Sequence, residues 1–146
     1  MLRALVVLVV VGVIAQVAIA KTDCEEARDR EMQSNAPLPM RLIPKCEDNG
    51  DYAGLQCFND SKFCACWTKT GDPITQPSTQ LKSCKCLRER YRVEKANLIG
   101  SYAPQCEPDG SYDKMQCWGS TGQCFCVDTM TGRKTSEVTR GDLNCP

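Results

Sequence analysis

Apolar positions are unevenly distributed along the chain, and one block stands apart. Ala4 to Ala15 is an unbroken run of twelve apolar or small residues, preceded by Met1-Leu2-Arg3 and closed by Gln16. Ala18-Ile19-Ala20 follows, with small residues at the two positions a signal peptidase reads. A positive start, a short apolar core and a small-residue site predict a secretory signal peptide over residues 1–20, with cleavage after Ala20. A membrane-spanning helix needs about 20 consecutive apolar residues, and this run is shorter. No later stretch is apolar enough to span, so the mature chain is expected to be soluble, secreted and extracellular.

Beyond Ala20 the pattern predicts the same short elements twice. A polar helix opens each half. In the first, Asp23 is placed to cap it, and Glu25 and Glu26 suit the first turn. In the second, Leu87 and Tyr91 stand four apart and share a helical face, with Leu98 further along. Pro44 and Pro104 mark the next element. Asn49-Gly50 and Asp109-Gly110 predict tight turns, since these pairs tolerate positive φ. A strand then runs through Tyr52 or Tyr112 to Gln56-Cys57 or Gln116-Cys117. A loop follows, Phe58 to Phe63 or Trp118 to Gln123, and then a second strand, Cys64-Ala65-Cys66-Trp67 or Cys124-Phe125-Cys126-Val127. The remainder is turn-rich and irregular.

Twelve cysteines give these elements a frame. The gaps from Cys24 through Cys46, Cys57, Cys64 and Cys66 to Cys84 are 22, 11, 7, 2 and 18. From Cys86 through Cys106, Cys117, Cys124 and Cys126 to Cys145 they are 20, 11, 7, 2 and 19. Gly71 and Gly132 each lie thirteen residues before the last cysteine of their half, so the extra residue of the second half falls between Cys126 and Gly132. Two copies of one unit are implied, 21–84 and 85–146. Only Lys85 separates their cysteine frames, which predicts a restricted mutual orientation. Units of about sixty residues bury little surface and need staples. An even cysteine count in a secreted chain implies full disulfide pairing. Six cysteines allow 15 pairings. Only Cys64–Cys66 and Cys124–Cys126 are disfavoured by the reach of a bridge.

Charge narrows the function classes. The chain holds 18 basic and 18 acidic side chains. Loss of Arg3 with the leader leaves 17 against 18, which gives no support for a nucleic-acid partner. The sequence has no histidine. That excludes Ser-His and Cys-His nucleophile pairs and the common His metal sites. The Cys-x-Cys pairs are better read as disulfide cysteines than as zinc ligands in an oxidising compartment. No enzyme activity, cofactor or metal is therefore expected. Lys82 to Lys95 holds six basic residues with Glu89 and Glu94 interspersed. It reads first as a solvated helix face with an Arg90–Glu94 pair, and second as a contact for a heparin-like polyanion.

The pattern Pro-x-Cys-x-x-Asp/Asn-Gly-x-Tyr, then Gln-Cys, Cys-x-Cys, a glycine and a final cysteine, resembles the thyroglobulin type-1 module. The likeness covers both repeats. The two-module layout behind a leader is similar to the thyropins, including thyropin-like proteins of spider venoms. The resemblance implies a small disulfide-rich α+β fold: in each module a short helix, a small antiparallel sheet and three disulfides. It implies pairing of first with second, third with fourth and fifth with sixth cysteine, hence Cys24–Cys46, Cys57–Cys64 and Cys66–Cys84, then Cys86–Cys106, Cys117–Cys124 and Cys126–Cys145. The family pattern carries Trp between the fourth and fifth cysteines and Val after them. Phe125 and Val127 lie nearer to it than Ala65 and Trp67.

Thyropins inhibit papain-like cysteine proteases of the cathepsin L type by wedging loops into the active-site cleft, which makes such a protease the implied partner of a monomeric chain. Other family members sit in matrix or growth-factor-binding proteins, and a venom toxin with another target, such as a channel, is a further reading. On the inhibitor reading the contact loops are Trp118, Gly119, Ser120, Thr121, Gly122 and Gln123, and Phe58, Asn59, Asp60, Ser61, Lys62 and Phe63. The two glycines of the former let backbone approach another surface, and a bridge across the loop base limits the ordering entropy lost on binding. The plainer reading is a hairpin turn with Trp118 packed on the disulfide. Asn59-Asp60-Ser61 is also a glycosylation sequon. A glycan there would obstruct the first loop and leave the second module the better inhibitor.

Overall fold

The computed structural model describes residues 20–38 and 41–146; the leader predicted over residues 1–20 falls almost wholly outside them. The first module contains helix α1 (Asp23–Gln33) and strands β1 (Leu55–Cys57) and β2 (Cys64–Cys66); the second contains helix α2 (Lys85–Ala96) and strands β3 (Met115–Trp118) and β4 (Gln123–Cys126). Each strand pair is an antiparallel hairpin. The strands stop at Cys66 and Cys126, one residue short of the expected ends, and continue as isolated bridges from Trp67 to Pro73 and from Val127 to Lys134.

Thr22, not Asp23, caps α1. Its hydroxyl accepts from the Glu25 N–H at 3.3 Å, and its own N–H donates to the Glu25 carboxylate at 3.0 Å, a reciprocal box that satisfies two free donors. Asp23 is the first helical residue, where its charge still suits the helix dipole. Helix α2 ends at Asn97, which caps it at φ 49°. Asn tolerates this left-handed conformation because its short polar side chain adds little clash. Leu98 is consequently off the helix and 65% exposed, rather than continuing the face of Leu87 and Tyr91.

All twelve cysteines are bridged: Cys24–Cys46, Cys57–Cys64, Cys66–Cys84, Cys86–Cys106, Cys117–Cys124 and Cys126–Cys145. These sulfurs form much of the core. In α1 the buried residue is Cys24, so its bridge to Cys46 supplies the tertiary anchor that an apolar stripe would otherwise provide. The extra residue of the second module sits in a turn. Gly71 N–H donates to Thr68, three residues back, whereas Gly132 N–H donates to Asp128, four back.

The modules share a joint. Leu87, on α2, packs into the first module's cluster with Cys64, Cys66, Leu81 and Cys84. Cys106 packs against that cluster and against the second one, formed by Cys86, Tyr112, Phe125 and Val127. The Asp109 carbonyl accepts from the Lys82 and Ser83 N–H groups at 2.9 and 3.1 Å. The turn of module two therefore docks on the last residues of module one.

Candidate functional site: a bridged hairpin and its neighbouring loop

The second module builds its exposed loop on a buried polar clamp. Gln116 is fully buried. Its Oε1 accepts from the Gln105 N–H at 2.8 Å and the Tyr102 hydroxyl at 2.6 Å, while Nε2 donates to the Gln105 and Asp113 carbonyls at 2.8 and 2.6 Å. Gln56 does the same in module one, with Lys45 N–H and the carbonyls of Lys45 and Ala53. A long amide suits the site because it can accept and donate at once where the side chain is shut off from solvent. The repeated Gln-Cys pair is thus the device that holds the segment before Cys46 or Cys106 against the hairpin.

On this clamp stands a three-ring cluster. Tyr102 lies edge-on to Trp118 with centroids 5.1 Å apart, and Phe125 lies 5.6 Å from Tyr102 and 5.7 Å from Trp118. Such tilted geometries are the favoured aromatic contacts. Lys134 Nζ lies 4.9 Å from the Phe125 centroid. Burial, with a smaller contribution from the charge of Glu89, pushes the Tyr102 hydroxyl up to about 12. Tyr112 is also raised, by burial first and then by its 2.5 Å hydrogen bond to Glu89.

Above the rings the hairpin closes. Cys117 and Cys124 face each other in the strand register and are bridged, and Trp118 pairs with Gln123 as the last rung. The Trp118 carbonyl accepts from Thr121 N–H at 3.2 Å and Gly122 N–H at 2.8 Å. Gly122 turns at φ 66°, and neither Gly119 nor Gly122 has an atom within 4 Å of where a Cβ would lie. Gly119 to Gly122 form the exposed tip, whereas Trp118 is half-buried among the rings and supports it. Gln123 is half-buried, and its side chain accepts from the Thr121 hydroxyl at 3.2 Å.

A second exposed segment precedes Tyr102, which packs at the base of this hairpin. Between Asn97 and Gly100, both at positive φ, Leu98 is largely exposed and Ile99 fully so. Tyr102, three residues after Ile99, packs edge-on against Trp118 and so ties this segment to the hairpin base. The apolar spacing sets Leu98 further along from Leu87 and Tyr91 and assigns nothing to Ile99. Two backbone breakers bracketing an apolar pair were the signal for an exposed apolar tip.

Module one has the same layout with weaker support. Phe58 N–H donates to the Phe63 carbonyl, Asn59 N–H to the Arg41 carbonyl, and Asp60 holds φ 55° at the tip. The Ser61 hydroxyl donates to the Phe58 carbonyl and accepts from Phe63 N–H. Lys62 and Phe63 are exposed, and Phe58 and Asn59 half-buried. Leu42, Phe58 and Ala65 stand where module two has Tyr102, Trp118 and Phe125. The aromatic contact of module one lies elsewhere, between Tyr52 and Trp67 at 5.7 Å.

Bridging leaves no cysteine thiolate to act as nucleophile or ligand. Among the described residues no cluster of His, Cys, Asp and Glu could hold a metal ion. The surface offered is therefore one of shape: narrow backbone, two apolar side chains and a rigid base. Among the described residues no helix is long and apolar enough to cross a membrane.

A bridged hairpin beside a short helix, built twice with three disulfides each, defines a class of small extracellular-type modules. The thyroglobulin type-1 repeat matches this chain twice, over residues 24–86 and 86–145. The chain belongs to the thyroglobulin type-1 family. Along 95% of its length it is similar to U20-hexatoxin-Hi1a of Hadronyche infensa, 51% identical over 140 residues and 97% of that protein. It is 41% identical over 108 residues to U24-ctenitoxin-Pn1a of Phoneutria nigriventer, covering 74% of this chain and 83% of that one. Equistatin of Actinia equina is 28% identical over 123 residues, 76% of this chain and 52% of its own length.

Proposed function

We propose that the protein is a secreted, monomeric inhibitor of papain-like cysteine proteases of the cathepsin L type, acting by reversible, non-covalent occlusion of the active-site cleft. The observation that carries this reading is the rigid, bridged hairpin of module two with its small exposed tip, whose base is tied through Tyr102 to the segment that exposes Leu98 and Ile99. A tip of small residues fits a narrow cleft, and a pre-ordered loop loses little entropy on binding. The neighbouring apolar pair supplies anchors of the kind that dominate interface energies once desolvated. The complex would bury about 1,600 Å² in total. The family resemblance to thyropins points the same way, and no residue of the inhibitor need react.

Module two is the stronger inhibitory unit on this reading, because its loop stands on three rings where module one has Leu42, Phe58 and Ala65. A glycan at Asn59 would add to the asymmetry; mass spectrometry showing an unmodified Asn59 would remove that part. The likeness to proteins named as spider toxins favours a second reading, a venom component with another extracellular target.

The test is residual activity of a cathepsin L-like protease titrated with the oxidised protein at mildly acidic pH. Reversible inhibition at nanomolar concentration, lost on reduction, is expected. No inhibition of several papain-like proteases at micromolar protein would overturn the proposal in favour of the second reading.

A further inference from the structure

The joint between the modules forms a groove of about 660 Å³, away from the hairpin tips. Four of its cations come from α2: Lys85, Arg88, Arg92 and Lys95. Their spacing of three, four and three places them on one helical face over about 15 Å, at 1.5 Å rise per residue. Lys69, from the turn before Gly71 in module one, adds a fifth. Ile74 and Tyr91 form apolar parts of the lining, and Lys95 Nζ lies 5.4 Å from the Tyr91 centroid.

The acids nearby are few and engaged. Glu89 is the acidic residue of the lining, and it accepts the Tyr112 hydroxyl at 2.5 Å. Asp51 pairs with Lys69 at 3.6 Å. Asp72 accepts from the Thr70 and Thr68 hydroxyls. Arg90, the basic residue of α2 that does not line the groove, pairs with Glu94 at 3.7 Å. The lining therefore holds five cations and one carboxylate, with Asp51 paired to Lys69 and Asp72 within electrostatic reach of Lys95, which leaves the α2 row in excess.

We infer that this groove is a binding site for a linear sulfated glycan of the heparin type. The cations form a row rather than a cup, which suits a chain of regularly repeated anionic groups better than one compact anion. The row stands on a helix, whose backbone groups are already satisfied, so it offers side-chain charges but no strand edge for an acidic peptide to pair with. The apolar Tyr91 and Ile74 surfaces give the C–H faces of sugar rings something to lie against. Both modules contribute, so the site exists only in the two-module chain.

The experiment is calorimetric titration of the full oxidised chain with a size-defined heparin oligosaccharide at low salt. No protease is involved, so its result is separate from the test of the hairpin. The native protein is expected to bind, with affinity falling steeply as salt rises. Arg92→Gln with Lys95→Gln, both at exposed positions, is expected to weaken binding at least about tenfold, since each removes a charge-assisted hydrogen bond to the anionic chain. The matched pair Lys45→Gln with Lys114→Gln, outside the groove, is expected to leave it within about threefold, the range of context effects on exposed charges. No binding by the native chain, or equal weakening by the two pairs, would overturn the site. Tighter binding of an acidic peptide of matched charge would overturn the glycan as its occupant.

Discussion

A methyl group added at Gly110 would sit 1.8 Å from the Ser83 carbonyl oxygen, on a backbone at φ 84°. At Gly119 it would meet nothing within 4 Å. Gly110→Ala is therefore expected to destabilise the protein by at least about 1–3 kcal/mol, the range for forced backbone strain, and Gly119→Ala by less than about 0.5 kcal/mol. Paired denaturant melts of the two variants check this. Gln116→Leu removes both ends of the clamp and takes away the partner of the Gln105 N–H, the Asp113 carbonyl and the Tyr102 hydroxyl, while the Gln105 carbonyl keeps the Asp113 N–H. At about 1–3 kcal/mol for each unsatisfied group, it should be among the most damaging single changes short of a lost disulfide. Its melt should fall well below that of Gln105→Leu, whose side chain is exposed. Tyrosine ionisation gives a third check at this scale. Burial raises the Tyr102 hydroxyl from its ordinary 10.0 to about 12. A raised tyrosine contributes its stability fully below its unfolded value and loses it as pH climbs through the folded one. Stability should thus hold up to about pH 10 and decline between there and pH 12. Near-ultraviolet titration should show Tyr102 and Tyr112 ionising late, and ionisation of both by pH 10 would contradict the packing described.

Among the elements, the hairpin of module two depends on its bridge more than on its short strands. Replacing Cys117 and Cys124 by serine opens a small loop, for which chain entropy gives a loss of about 2–3 kcal/mol. The other five bridges should keep the fold, while amide exchange at Gly119 to Gly122 accelerates; unchanged exchange would mean that the strands alone hold the tip. Helices, tight turns and hairpins were legible in the sequence because each is announced locally, as with Asn49-Gly50 and Asp109-Gly110. The loop 118–123 was legible through its cysteines seven apart. Errors arose where the deciding partner lay a few residues away. The cap falls on Thr22 because Glu25 reaches back to its N–H, a reciprocal bond that an acidic first turn alone does not announce. Leu98 falls outside α2 because Asn97 turns the chain at φ 49°, which the apolar spacing of Leu87 and Tyr91 does not reveal. The pairing of the cysteines came through family resemblance alone, since spacing leaves most of the 15 combinations open.

At the scale of the whole molecule, two modules joined without a spacer behave as one unit at their junction. Leu87 completes the core of the module before its own, and the Gly110 turn rests on Ser83. This could not be read from either repeat alone. The charge run 82–95 showed its Arg90–Glu94 pair in sequence, but not that four of its cations face module one across a groove. The hairpin tips lie elsewhere, so protease contact and glycan contact would occupy separate surfaces. The account stands most directly on module two's tip. The decisive measurement is the inhibition constant of a papain-like cysteine protease for the native protein and for Gly119→Trp, a variant with space for its side chain outside the fold. The account predicts potent reversible inhibition by the native chain, weakened at least about tenfold by the bulky tip with an unchanged melting temperature. Absence of inhibition by the native chain, or equal inhibition by the two, would contradict it.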